Sequence, residues 1–160
     1  MRSLRDAFGQ FATGVAVVTT AAGGERAGVT VNSFTSVSLD PPLVLWCLSD
    51  RAPSAPLFLR AGRFAVNVLA AGQGELSRRF ATPAPDKFAG VDLLDHPLPM
   101  LAGTLAGFAC RTVHTFSGGD HHIFVGEVER YQRAGGDPLV FHSGRYRELA
   151  APVAVPAHSP

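Results

Sequence analysis

Apolar positions along the chain recur first at helical and then at strand spacing. Leu4, Ala7, Phe8 and Phe11 are three or four residues apart, which predicts a short amphipathic helix over 3–12, capped by Ser3 and stopped by Gly14. Val15 to Ala22 is apolar and β-branched and reads as a buried strand. Gly23-Gly24-Glu25-Arg26 is a turn, so the strand from Ala27 to Asn32 folds back as a hairpin. Phe34 to Leu39 continues extended until Asp40-Pro41-Pro42 breaks it, and Leu43 to Leu48 is the next buried strand. A short helix begins with Pro53 in its first turn; Phe64 to Leu69 is a strand, and Gly74 to Phe80 a second helix. Residues 82–100 carry four prolines and read as a long loop. Two long strands, Leu105 to Thr115 and His122 to Tyr131, flank Ser117-Gly118-Gly119-Asp120, and Leu139 to His142 is the last strand. Strand and helix do not alternate steadily. The pattern therefore predicts a mainly β fold, an antiparallel barrel of six or more strands with a few peripheral helices.

One stretch stands out within that frame. Between Val29 and Ser38, six of ten residues carry hydroxyl or amide side chains: Thr30, Asn32, Ser33, Thr35, Ser36 and Ser38. In an extended chain Val29 and Val31 face one way while Thr30 and Asn32 face the other. The spacing breaks between Asn32 and Ser36, which predicts a bulge or corner there. A row of short donors beside main-chain N–H groups suits a ligand rich in carbonyls, ring nitrogens and phosphate. A polar outer face on a half-solvated strand is the commoner origin of such a row.

Composition narrows the class. The chain has 160 residues, enough for one domain over 1–149, and the Ala/Pro-rich stretch 150–160 reads as a flexible tail. Hydrophobic residues make up 46% and charged residues 17%, as in a globular protein. A net charge of +1, with 14 basic and 13 acidic residues, offers no footprint for nucleic acid. No apolar run approaches the ~20 residues of a membrane span, and the N-terminus lacks the apolar core of a signal peptide. A cytoplasmic setting follows, and Cys47 and Cys110, far apart, read as buried small residues.

Two motifs are set aside. Gly72-Gln73-Gly74-Glu75-Leu76-Ser77 follows a strand and opens a helix like a dinucleotide fingerprint, but Ser77 replaces the third small residue and no repeated βαβ units surround it. His114, His121 and His122 lack metal-ligand spacing, so no metal is expected.

Thr13-Gly14-Val15-Ala16-Val17-Val18-Thr19-Thr20, Gly28 to Pro42, Gly119-Asp120-His121 and Gly144-Arg145-Tyr146, in that order, resemble the flavin-reductase-like family of FMN-binding split barrels, over about residues 4 to 149. The resemblance implies a split barrel, usually a homodimer. It also implies an enzyme that passes a hydride from NADH or NADPH to FMN or FAD and hands reduced flavin to a separate monooxygenase. Thr30, Asn32 and Ser33, with Val31 between them, become candidates for the isoalloxazine edge. Ser36, Val37 and Ser38 become candidates for the ribityl and phosphate region, and Ser49, Arg51 and Ser54 for the phosphate end. Arg79 and Phe80 would bind phosphate and cover a ring. His121 would lie near the flavin or nicotinamide, and Tyr146 near the flavin. The rival readings are a flavin- or haem-binding barrel without reductase activity, and an oxidase of related fold that keeps its FMN.

Overall fold

The computed structural model describes residues 2–153. In chain order the strands are β1 (Thr13–Gly14), β2 (Ala16–Ala22), β3 (Glu25–Val31), β4 (Thr35–Leu39), β5 (Pro42–Ser49), β6 (Arg63–Val68), β7 (Ala106–Ser117), β8 (His121–Arg133), β9 (Val140–His142) and β10 (Arg145–Arg147). The helices are α1 (Arg2–Phe8), α2 (Ala55–Ala61) and α3 (Gly74–Ala81). Seven strands form an antiparallel sheet in the order β3-β2-β6-β7-β8-β5-β4, and β1-β9-β10 form a small second sheet.

The large sheet rolls up because alternate residues of six strands share one interior. Ala16 and Val18, Val44, Trp46 and Leu48, Phe64 and Val66, Cys110 and Phe124 meet there, with Val29 and Val31 packed against them. Trp46 stacks on Phe124 at 4.7 Å and meets Phe58 of α2 edge-on at 5.0 Å. These aromatics fill the barrel, and α2 closes one end of it. The outer face of β2 is buried as well: Val15 and Val17 join Leu69, Phe80, Phe88, Leu101 and Leu139 in a second core. Burial on both faces explains why Val15 to Val18 is continuously apolar rather than alternating.

The ends of the elements differ from the sequence reading in physically simple ways. The first helix stops at Phe8, and Gly9 to Phe11 follow as turns because Thr13 and Gly14 pair with Phe141 and Val140. Ser3 lies inside that helix and does not cap it. The apolar stripe of α1 does not dock on its own chain: Phe8 is 70% and Phe11 79% exposed. The proline in the first turn of α2 is Pro56, with Ser54 before the helix. Pro42 opens β5 instead of interrupting the sheet, opposite Leu39 at the register's end. The break between Asn32 and Phe34 separates β3 from β4, and a bulge follows at Val37. Ala71 to Gln73 form a short 3-10 turn entering α3; the preceding β6 is antiparallel to both neighbours, so no βαβ unit exists there. Ala150 to Val153 are exposed, and the rest of the expected tail, 154–160, lies outside the described residues.

Candidate functional site

The barrel is not fully sewn. β3 is hydrogen-bonded to β2 on one side only and faces the second half of β5 across a slit. The chain leaving β3 crosses to pair with the first half of β5 as β4, Thr35 opposite Leu45. Ser33 fills the step: its hydroxyl accepts from the Cys47 N–H at 2.9 Å and donates to the Cys47 carbonyl at 3.3 Å. One side chain thus does for Cys47 what a strand would do.

Lys87 shows which way β3 presents its backbone. Its ammonium donates to the Gly28 carbonyl at 3.3 Å and the Phe80 carbonyl at 2.8 Å. The main-chain groups of Gly28 therefore point away from β2. By strand alternation those of Arg26 and Thr30 do the same, and Thr30 lines the slit. Burial pulls the Lys87 ammonium below its ordinary pKa.

A cavity of about 260 Å³ occupies the slit and brings together six of the expected site residues: Thr30, Val31, Asn32, Ser33, Ser49 and His121. Asn32 is exposed where this cavity meets two others. Thr30 is tied down, its hydroxyl donating to the Ser77 carbonyl of α3 at 2.6 Å, so its main chain rather than its side chain is free for a ligand. Ser49 accepts from the Arg51 N–H at 3.3 Å.

His121 opens β8, opposite Ser49. Its Nδ1 lies 2.7 Å from Asp120 Oδ1. That bond, then the charge of His121, holds the Asp120 carboxyl below the usual carboxylate range; Arg51 contributes further. An ionised carboxylate only accepts, so Nδ1 carries the hydrogen and Nε2 is left as the working nitrogen. The tight Gly118–His121 turn, with Gly119 at φ 73°, sets this pair at the mouth of the slit.

Other expected residues are placed elsewhere or occupied. Ser36, Val37 and Ser38 ride on β4, outside the slit; Ser36 and Val37 are exposed, because the chain has already crossed to the first half of β5. Phe80 is fully buried and meets Phe88 edge-on at 5.1 Å, so its ring belongs to the second core. Arg79 donates to the Ala89 carbonyl at 2.5 Å and fastens the proline-bearing loop instead of an open phosphate site. Tyr146 bonds Ser77 through its hydroxyl at 2.7 Å and lines a 200 Å³ cavity that also touches Thr30 and Asn32. Arg51 is exposed, and Ser54 lines a further, larger cavity.

Lys87 and Asn67 were missed. A lysine in a proline-rich loop looks solvated, and nothing local shows that it reaches a strand edge. Asn67 did carry a signal, as the single polar residue in an apolar strand. Neither cysteine is a nucleophile candidate: burial pushes Cys110 up to about 12, with Glu129 adding to it, and burial raises Cys47 as well.

Comparison with known proteins returns one family. The model of the flavin reductase like domain matches residues 8–150. The chain is 47% identical over 147 residues to the FMN reductase (NADH) of Agrobacterium fabrum, covering 91% of this chain and 84% of that protein. It is 40% identical over 159 residues to the reductase subunit of a flavin-dependent monooxygenase from Rhodococcus jostii, covering 98% and 82%. Among solved structures it is similar to the NADH:FAD oxidoreductase of Streptomyces globisporus in complex with NAD and FAD fragments, with TM-score 0.90 and 42% identity, covering 94% of this chain and 93% of that one.

Proposed function

The chain belongs to the flavin reductase like family, and we propose that it moves a hydride from NADH to FMN or FAD and supplies reduced flavin to a separate flavin-dependent monooxygenase. The observation that carries this reading is the slit, where a free strand edge, Asn32 and the Asp120–His121 pair converge on one cavity. Main-chain donors and acceptors in a row suit the carbonyls and ring nitrogens of a flavin edge, so the residues present fit the group. The two bound molecules supply the redox chemistry; the protein positions them and excludes competing reactions.

Thr30 and Val31 would hold the ring through the backbone, Asn32 through its amide. Ser33 keeps the slit open at fixed width. Ser49 lines the slit and Ser54 the larger cavity, with exposed Arg51 between them in the chain, and the three would face the phosphate end. Asp120 fixes the tautomer and orientation of His121, leaving Nε2 to position the nicotinamide. Alignment of the two rings is itself a large part of such a rate.

The functional domain runs to residue 149, and the assembly we propose is a homodimer in a cytoplasmic setting. Exposed Phe8 of α1, Phe11 in the turn after it and the 94% exposed Leu39 of β4 support a second copy covering them. Such a contact would also enclose Ser36 to Ser38. A monomer in sedimentation at micromolar concentration would remove the homodimer. No helix among the described residues is long and apolar enough to cross a membrane.

Anaerobic stopped flow tests the activity: flavin absorbance should bleach rapidly on mixing with NADH. His121→Ala should slow bleaching about tenfold, roughly 1.4 kcal/mol of barrier, with flavin affinity within twofold of wild type. Equal loss in both would make His121 a flavin ligand only, and binding without bleaching by wild type would leave a non-catalytic flavin-binding barrel.

A further inference from the structure

The turn from Ser49 to Ser54 walls the slit on the side facing β3, through Ser49 and Ala52. It is bonded within itself: the Arg51 N–H donates to Ser49 Oγ, the Ala52 N–H to the Ser49 carbonyl at 2.9 Å, and the Ala55 N–H to the Ala52 carbonyl at 2.9 Å. It therefore shifts as one piece, and its place depends on what ties it to the neighbouring strand. Two ties reach the start of β8. The Asp50 N–H donates to the Asp120 carbonyl at 3.1 Å. The Asp50 carboxylate lies 3.4 Å from Nε2 of His122. Alternation turns His122 away from the His121 side of the strand and onto the face of Phe124, whose ring it meets edge-on at 6.3 Å. Its strand neighbours are Leu48 of β5 and Ser117 of β7, neither of which titrates in the neutral range. The charged groups around it are Asp50, then Arg51 beside Asp50, which acts on Asp120, and Asp120 and His121 just before it in the chain. A separation of 3.4 Å is long for a neutral hydrogen bond, so this tie draws on charge. It is full above the carboxylate range and is lost as pH rises through the imidazole range.

We propose that His122 is a positioning residue: acting through Asp50, its imidazolium clamps the Ser49–Ser54 turn against β8 and so sets how firmly the slit holds flavin. The proposal rests on the reading of the slit as the flavin site. Protonated His122 keeps the wall in place. Neutral His122 leaves the turn on its single main-chain tie, and flavin departs more readily. His122 itself does not line the slit, so the hydride step is not its business. What it governs is retention, which in a protein that gives its flavin away is a property worth setting.

Titrations of wild type and Asp50→Asn with FMN and with FAD, from about pH 5.5 to about pH 8, test it. His121 and a flavin phosphate also exchange protons near the slit, but both are common to the two proteins, so the ratio of their Kd values cancels them. An ion pair this exposed is worth a factor of a few, so that ratio should be about threefold at the acid end and fall to about one at the alkaline end. Asp50→Glu should restore wild-type behaviour at the acid end. His122→Gln should reproduce the Asp50→Asn profile, and serves if Asp50→Asn does not fold. The limiting rate of bleaching at saturating flavin and NADH should stay within about twofold of wild type in these variants, because only the hold on flavin has changed. A Kd ratio that does not vary with pH, or a limiting rate that falls along with affinity, overturns the clamp. Failure of wild type to bind either flavin at any pH sinks the slit reading instead, so the two failures are told apart.

Discussion

Gly28→Ala is expected to cost about 2 kcal/mol of stability and to weaken flavin binding roughly tenfold. An ideal Cβ at Gly28 would lie 2.5 Å from Phe80 Cε1, 2.6 Å from its Cδ1 and 3.3 Å from Phe88 Cζ. Phe80 is fully buried and held edge-on by Phe88, so its ring gives way only by displacing Phe88 as well. Overpacking of this kind costs about 1–3 kcal/mol, which for a domain of this size lowers Tm by roughly 6 °C. The strain is relieved by pushing α3 and the Lys87 loop off β3, the strand that walls one side of the slit. That is why affinity should fall along with stability. Gly14→Ala is the control, since a Cβ there meets nothing within 4 Å. Thermal melts and fluorescence titration decide it. A Gly28→Ala protein as stable and as avid as Gly14→Ala would show that the strand edge is not held by this contact.

Asn67→Leu should be costlier, about 3 kcal/mol, although the two side chains are close in size. Asn67 is fully buried on β6. Its amide donates to the Val17 carbonyl at 2.9 Å and to Thr19 Oγ1 at 3.3 Å, and its carbonyl accepts the Leu101 N–H at 2.8 Å. Leucine leaves Leu101 N–H buried without its partner and removes a donor from Val17, and a stranded buried group costs about 1–3 kcal/mol. A drop in Tm of roughly 10 °C follows. Amide exchange at Leu101 should quicken, because this bond pins the end of the long loop against the barrel. A melting shift under 2 °C would mean that the loop is held by its apolar contacts alone, through Leu98, Met100 and Leu101.

The strands were readable because each buries one or both faces, and burial writes itself into local order: Val29 and Val31 inward, Thr30 outward, Val15 to Val18 apolar throughout. The helix stripe of Leu4, Phe8 and Phe11 was readable as a pattern but not as a contact, since periodicity reports a face and not what covers it. The site was legible where it follows a strand. Thr30 to Ser33 and His121 come together, because β3, β5 and β8 bring their ends to one place. Ser36 to Ser38 were named from the resemblance as the ribityl and phosphate region; the crossing to the first half of β5, a tertiary event that no local pattern announces, places them on β4. Phe80 and Arg79 were ambiguous for a different reason. A helix shows which residues share a face, but the loop it packs against decides whether a ring is core and whether a guanidinium is spent on a carbonyl. Lys87 was invisible on the same ground.

The outward-turned backbone of Arg26, Gly28 and Thr30 has a consequence for how this protein can diverge. Recognition by peptide groups is not erased when a codon changes, so the chemistry offered along this edge survives drift in the side chains that carry it. What drift can alter is spacing and bulk: the glycine that lets two rings press close, the serine that sets the gap, the small residues on the far wall. Descendants of such a chain would keep the same ring and exchange the appendages it is joined to.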